Sequence, residues 1–356
     1  MREKSDITDT KKWGSETTRN GWFFIEQGSK LKNTESWNLR QQFLETIKQK
    51  GGWVNCHAHM DKAFYISRQR LQKAGLDMAQ KWRMSDDTKK KDTQEDVEHR
   101  IRKVLDIMIA QGARHAATFI DAYEAMGHRA IDAALKVRKL YKDKITLTLI
   151  SHPLGGLLDK KSQRLYMEIT EKADIAGGLP SYDRPYDAKN FDILFSIARH
   201  LNKPLHIHID QENNPHERDS EKLVYYTKKY KYEHRVTAIH VISLSSQSES
   251  YRKKIYRQFA KLGISVIVCP SAAINMRQLE NYEAPVHNSI ANVPEMLEAG
   301  VLVGLGVDNI CDFYNPFGDA DLWFESRLLM DACRYYDFDR MIDICTENGK
   351  KILEIK

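Results

Sequence analysis

The sequence predicts a (β/α)8 barrel, and three observations carry the prediction. Eight short apolar runs are spread over residues 53–308. Longer amphipathic stretches separate them, and no glycine fingerprint of a doubly wound open sheet follows the first run. A chain of 356 residues is comfortable for a barrel of this kind.

The runs, in order, are WVNCHAH (53–59), HAATFID (115–121), ITLTLISH (145–152), DIAGGLP (174–180), PLHIHID (204–210), VTAIHVIS (236–243), ISVIVCP (264–270) and VLVGLGVD (301–308). Each is short enough for a buried strand. Between them, stretches such as QEDVEHRIRKVLDIMIAQGA and AIDAALKVRKLYK repeat apolar residues three to four apart, the spacing of one helix face. Strand and helix alternating eight times gives a parallel sheet that closes on itself. Residues 1–51 stand outside the alternation and are expected to form a lead-in or cap segment, with the barrel over 52–356. The segment holds three of the six tryptophans (Trp13, Trp22, Trp37) and an amphipathic piece, ESWNLRQQFLETIKQK, expected to pack as a helix on the barrel.

Composition excludes several classes. Hydrophobic residues at 42% and charged residues at 29% are those of a globular protein in water. No run approaches the roughly 18 apolar residues of a membrane span, and the opening MREKSDITDTKKWG is too polar for a secretory signal. The five cysteines are scattered, without a CxxC pair, which points to reduced thiols and a cytoplasmic location. The net charge of +6 is diffuse. Its densest pieces, KKK (89–91) and KKYKY (228–232), read as solvated helix faces, and no nucleic-acid-binding signature accompanies them.

In such a barrel the carboxyl ends of the strands line the active site. His57 and His59 end the first run, His206 and His208 lie in the fifth, His240 in the sixth, and Asp308 closes the eighth. Residues i and i+2 of a strand share a face, so each HxH pair projects together. One histidine in an apolar strand is most simply a core residue; several, with an aspartate, on one rim point to a metal. Imidazoles and one carboxylate suit Zn²⁺ or Fe²⁺. Asp308 is placed to take a proton from an activated water and return it to a leaving group.

This pattern resembles the amidohydrolase superfamily, and within it the cytosine deaminase-like branch. HAHMDKAF is similar to that branch's first-strand motif, HIHIDQ to its fifth, AIHVISL to its sixth and GVDNICDFYNPFGDADL to its eighth. The resemblance implies His57, His59, His208 and Asp308 as ligands of one divalent metal ion, with Asp308 and His240 catalytic. His206 would stand behind His208. The fourth run, with GGLPSYD, offers no lysine for a second, bridged metal. Three positions depart from the branch. Gln211 replaces a proton-shuttling glutamate and hydrogen-bonds without exchanging a proton. Leu154 replaces a substrate-holding glutamine, and Asn309 replaces a second carboxylate. Glu212, Glu217 and Glu221 are the nearby acids that could substitute. The accessory β-sandwich of the branch is expected to be absent or reduced.

Lys62, Leu154, Asn275, Asn309 and Trp323 are the expected substrate contacts, and Gln211 joins Asp308 and His240 as an expected catalytic residue; Arg277 and Phe317 are further candidates on the same rim. Asp61 reads as loop support, Ser271 lacks the histidine partner of a nucleophile, and Cys56 reads as core on the helix side. The expected function is metal-dependent hydrolysis of a C–N bond in a small nitrogen heterocycle or cyclic amide. Deamination and amide hydrolysis both stay open. The alternative is a catalytically impaired barrel serving as a metal-bound scaffold. The expected partner is a small molecule, with no nucleic acid and no membrane, and a homo-oligomer stays open.

Overall fold

The computed structural model describes residues 38–76, 78–212, 214–276 and 290–355, so Trp13, Trp22, Trp37 and Arg277 lie outside the described residues. The chain divides into Met1–Gln42 and Phe43–Lys356; of the first unit only residues 38–42 are described.

All eight predicted runs contain a strand: β1 (Trp53–Asn55), β2 (Ala113–Asp121), β3 (Thr146–His152), β4 (Ala176–Gly178), β5 (Leu205–Ile209), β6 (Val236–His240), β7 (Ser265–Val268) and β8 (Val303–Leu305). They pair in parallel and in chain order, β1 to β3 and β4 to β8. Two isolated parallel bridges join the sets, Ile150 with Ile175 and Ala58 with Asp308. At these seams Ser151 N donates to Ile175 O (3.2 Å) and Val307 N to His57 O (3.0 Å). Glycine permits both approaches. A Cβ on Gly177 would lie 2.0 Å from Ser151 O, and one on Gly306 would lie 2.6 Å from His57 Cβ. The ring is a (β/α)8 barrel.

The helices are α1 (Leu39–Gln49), α2 (Met78–Lys89), α3 (Gln94–Ala110), α4 (Arg129–Tyr141), α5 (Lys160–Lys172), α6 (Asp187–His200), α7 (Asp219–Tyr230), α8 (Glu249–Leu262), α9 (Pro270–Asn275), α10 (Val293–Glu298), α11 (Leu322–Cys333), α12 (Phe338–Cys345) and α13 (Glu347–Ile352). Their faces follow the sequence period. In α3, Val97, Ile101, Val104, Leu105 and Met108 are buried, and a Thr93–Asp96 capping box fixes the start. Within the second unit, Phe43 of α1 packs its ring 5.9 Å from Trp53, 5.5 Å from Trp323 and 5.4 Å from Phe338. Among the described residues every strand belongs to the barrel, and no helix is long and apolar enough to cross a membrane.

Two apolar clusters separate barrel interior from helix layer. Val54, Cys56, Ala117, Phe119, Ile150, Ile175, Ile239, Ile267, Cys269 and Ile352 fill the interior. The opposite faces of the strands, such as Leu205, Ile207, Val266 and Val303, pack with the helices. Cys56 is therefore core but on the inner side, not the expected helix side: it shares the inward face of Val54, and its Sγ is 3.0 Å from where a Cβ on Gly304 would stand. Strict alternation fails after Asn55, where β1 ends. The KKK run also splits, since Lys90 and Lys91 are exposed while Lys89 is fully buried.

Candidate active site

The carboxyl ends of the strands converge on a pocket. His57 and His59 follow β1, His208 stands in β5, His240 ends β6 and Asp308 follows β8; all five are buried. Their approach is close. Asp308 Oδ1 lies 3.0 Å from His57 Nε2 and 3.2 Å from His59 Nε2, and Asp308 Oδ2 lies 3.8 Å from His240 Nε2. The His208 ring centroid is 5.0 Å from that of His57 and 5.5 Å from that of His59.

The backbone turns at two of these positions. His240 has φ of +75° and Asp308 of +58°, a region non-glycine residues enter at a cost of order 1–3 kcal/mol. At His240 the turn explains a break in parity. Ile239 belongs to the interior cluster, yet the next side chain also reaches the pocket.

The donor set fits a cation. Ring nitrogens and carboxylate oxygens of His57, His59 and His208, and of His57, His240 and Asp308, lie within 4.8 Å of one another in each group. His208 Nδ1 is 3.0 Å from Gly178 O, so Nδ1 carries the proton and Nε2 presents a lone pair. That Nε2 is buried without a partner, as are His57 Nδ1 and His59 Nδ1. Burial, with Lys62 adding to it for His59 and the other histidines for His208, holds both imidazoles well below the ordinary histidine range. Burial opposes ionisation of Asp308, but His240 and the hydrogen bonds from His57 and His59 outweigh it and hold the carboxyl far below its usual range. Neutral imidazoles around an ionised carboxylate are the forms that bind a metal.

Of the expected substrate contacts, Lys62, Leu154, Asn275 and Asn309 line the pocket, with Gln211 beside them. The Lys62 ammonium lies 5.3 Å from the Tyr314 ring centroid. Gln211 Nε2 donates to Ser181 Oγ (3.1 Å), Asn309 Nδ2 to Asp312 Oδ2 (2.5 Å) and Asn275 Nδ2 to Tyr314 O. Trp323 is not among the described residues that line the pocket; the first turn of α11 carries it to the Phe43 ring. Phe317 is 78% exposed and does not line it either.

His206 is buried behind His208, and burial pushes it down to about 3. Asp61 supports the loop, its Oδ2 accepting from Asp121 N (2.8 Å). Glu212, Glu217 and Glu221 are not among the described residues that line the pocket. Glu217 is bound by Arg184 Nη2 (2.8 Å) and Ser243 Oγ, and Glu212 pairs with Arg184 Nη1 (2.9 Å). Ser271 donates to Glu325 through both N and Oγ, with no histidine involved.

Sequence reasoning missed part of the wall. His152, Trp82, Lys81, Leu179, Tyr314 and Asn315 also line the pocket. His152 Nδ1 is 2.9 Å from Asp121 Oδ1, and Lys89 pairs with Asp121 Oδ2. Asp121 and His152 end the second and third apolar runs, the same signal that found His57 and Asp308.

Comparisons with known proteins agree with this arrangement. Residues 51–356 match the model of the Amidohydrolase family. An uncharacterized protein of Haemophilus influenzae is 35% identical over 262 residues, 71% of this chain and 93% of that one. N-isopropylammelide isopropyl amidohydrolase of a Pseudomonas species is 23% identical, over 76% of this chain and 65% of its own length. The fold matches the crystal structure of 5-methylcytosine deaminase from Klebsiella pneumoniae with a TM-score of 0.79 at 23% identity, covering 85% of this chain and 75% of that one. Family, fold and a buried cluster of imidazoles with one carboxylate coincide in one place: the chain belongs to the amidohydrolase family and is a metal-dependent hydrolase of non-peptide C–N bonds.

Proposed function

We propose that the protein hydrolyses the bond between a ring carbon and an amine nitrogen in a small oxo-substituted nitrogen heterocycle, a substrate that reacts without protonation of a ring nitrogen. One observation carries this reading. Among the described residues lining the pocket, Asp308 is the one carboxylate, and Gln211, at the position where the resemblance puts a proton-shuttling glutamate, is a lining residue too. A glutamine amide has no exchangeable acid proton near neutral pH. Asp308 therefore performs both proton transfers, taking the proton of the attacking water and delivering it to the leaving nitrogen. The name of the Pseudomonas relative, an N-isopropylammelide isopropyl amidohydrolase, supports a substrate of this kind.

His57, His59, His208 and Asp308 would hold one divalent ion, Zn²⁺ or Fe²⁺ by the chemistry of the donors. When bound, the ion supplies a Lewis acid that lowers the pKa of a coordinated water towards neutrality. His240, buried against Asp308, orients the attacking water and stabilises the charge that develops on the tetrahedral carbon. Lys62 takes a ring oxo group or its anion, and Leu154, Leu179 and Trp82 give the apolar walls. Five free cysteines agree with a reducing, cytoplasmic location.

The test is release of ammonia or alkylamine from a panel of amino- and alkylamino-substituted oxo-pyrimidines, triazines and pterins. Cyclic amides are run beside them, with zinc- and iron-loaded protein. Turnover of amine-bearing heterocycles and not of cyclic amides is expected. No turnover across the panel at stoichiometric metal sinks the proposal.

A further inference from the structure

One polar atom of the pocket wall has no part in the chemistry above. His152 lines the pocket and is 2% exposed, and its Nε2 has no hydrogen-bond partner. Its ring centroid lies 5.0 Å from that of His59 and 5.2 Å from that of His208. Neither group of metal-ligating atoms includes it.

The other ring nitrogen is firmly held. Nδ1 lies 2.9 Å from Asp121 Oδ1, and Lys89 pairs with Asp121 Oδ2, the side chains of both charged residues being fully buried. Asp121 is fixed in turn, because its N donates to Asp61 Oδ2 (2.8 Å) while Arg100 Nε donates to Asp61 O (2.8 Å). A buried ammonium against a buried carboxylate keeps that carboxylate ionised, and an ionised carboxylate only accepts. The imidazole proton therefore sits on Nδ1, and Nε2 offers the pocket a lone pair. Leu154, two residues along, offers no polar atom, so on this stretch of wall His152 is the residue that can read a polar edge.

We propose that His152 is a specificity-determining residue: its Nε2 accepts a hydrogen bond from an N–H of the heterocycle, either a ring N–H or an exocyclic amine. Asp121 and Lys89 are positioning residues that fix its tautomer. The inference rests on the heterocycle reading above and narrows it to substrates carrying an N–H donor as well as an oxo group.

The experiment has two arms on zinc-loaded protein. In the first, ¹⁵N-histidine NMR, with His152→Leu for assignment, reads the tautomer. A bare Nε2 in the wild type and a gain of Nε2–H in Asp121→Asn are expected. A protonated Nε2 in the wild type overturns the proposal. In the second, calorimetry measures binding of uracil and cyanuric acid and of their fully N-methylated forms, with zinc content determined for every variant. His152→Leu is expected to weaken the N–H probes about tenfold or more. It should leave zinc content and the N-methylated probes unchanged, with His152→Gln, which keeps an acceptor, recovering part of the loss. Equal weakening of both probe types, loss of zinc, or no weakening at all overturns it. If the wild type binds none of the probes, the heterocycle reading fails and this inference falls with it; probes that bind but ignore His152 refute this inference alone.

Discussion

Lys89 and Asp121 give the sharpest stability test. Their side chains are each fully buried and directly paired, and Asp121 has further partners in His152 and, through its backbone, Asp61. Burial alone would raise the Asp121 carboxyl, but Lys89 beside it wins and holds it well below the ordinary range. Lys89→Met removes the compensating charge and leaves a carboxylate that cannot reach water. Breaking a buried pair in this way costs about 3–5 kcal/mol, a large share of the roughly 5–15 kcal/mol that keeps a domain folded. Asp121→Asn in the same chain removes the charge left behind, so Lys89→Met in that background should cost less than about 2 kcal/mol, a coupling of 1–3 kcal/mol by order of magnitude. The assay is urea unfolding at pH 7 on chelator-treated protein, since bound metal would add its own linkage. If Lys89→Met alone costs under about 1 kcal/mol, Asp121 is protonated or solvated, and the argument that it fixes the His152 tautomer fails with it.

Other outcomes follow from individual groups. Burial pushes Glu325 up from the ordinary 4.5 to about 8, with Ser271 pulling the other way. The folded state then holds a proton that the unfolded state has lost between these values, so this group's contribution to stability falls as pH rises through the window. Glu325→Gln mimics the protonated acid and should match the wild type near pH 4.5, then gain on it by up to about 1.4 kcal/mol per pH unit towards pH 8; a pH-independent difference refutes the shift. Asp308→Asn should lower the rate by about 10²–10⁴ and reduce bound metal by elemental analysis; full metal with full activity would remove Asp308 from the mechanism. Gln211→Glu places an exchangeable proton beside the ring and should raise cytosine deamination about tenfold or more over the wild type. Equal rates would show that Gln211 is not what limits that substrate.

The barrel was legible because every strand lies in a short apolar run and helices such as α3, α4 and α8 keep a 3.6-residue apolar face. The strand-end histidines and Asp308 stood out because strand ends are the functional rim, and the structure gathers them at one pocket. The same rule applied to the second and third runs finds Asp121 and His152, so the omission of these residues was one of attention to histidine pairs. Lys89 was harder. Lysine triplets ordinarily face water, yet Lys81, Ser85 and Lys89 are all buried at helical spacing, giving α2 an inward face that is polar and invisible to hydrophobic periodicity. Trp323 shows the opposite case. Its position after the eighth-strand motif suggested the rim, but the start of α11 is set by the Asp321 cap, and that places the indole against Phe43.

Under the proposed function Asp308 takes the proton of the attacking water and carries it to the leaving group. That proton passes readily to an amine nitrogen, which is basic in the tetrahedral species. On the same proposal it has no comparable route to a ring nitrogen, since Gln211, tied to Ser181, is the residue proposed for that place. A pocket with one carboxylate and a neutral amide in the second position thus favours expulsion of a basic amine from a carbon already activated by ring oxo groups. Under the proposed function Lys62, which lines the pocket, would strengthen that bias, since a cation over the ring oxygens withdraws electrons from the carbon under attack.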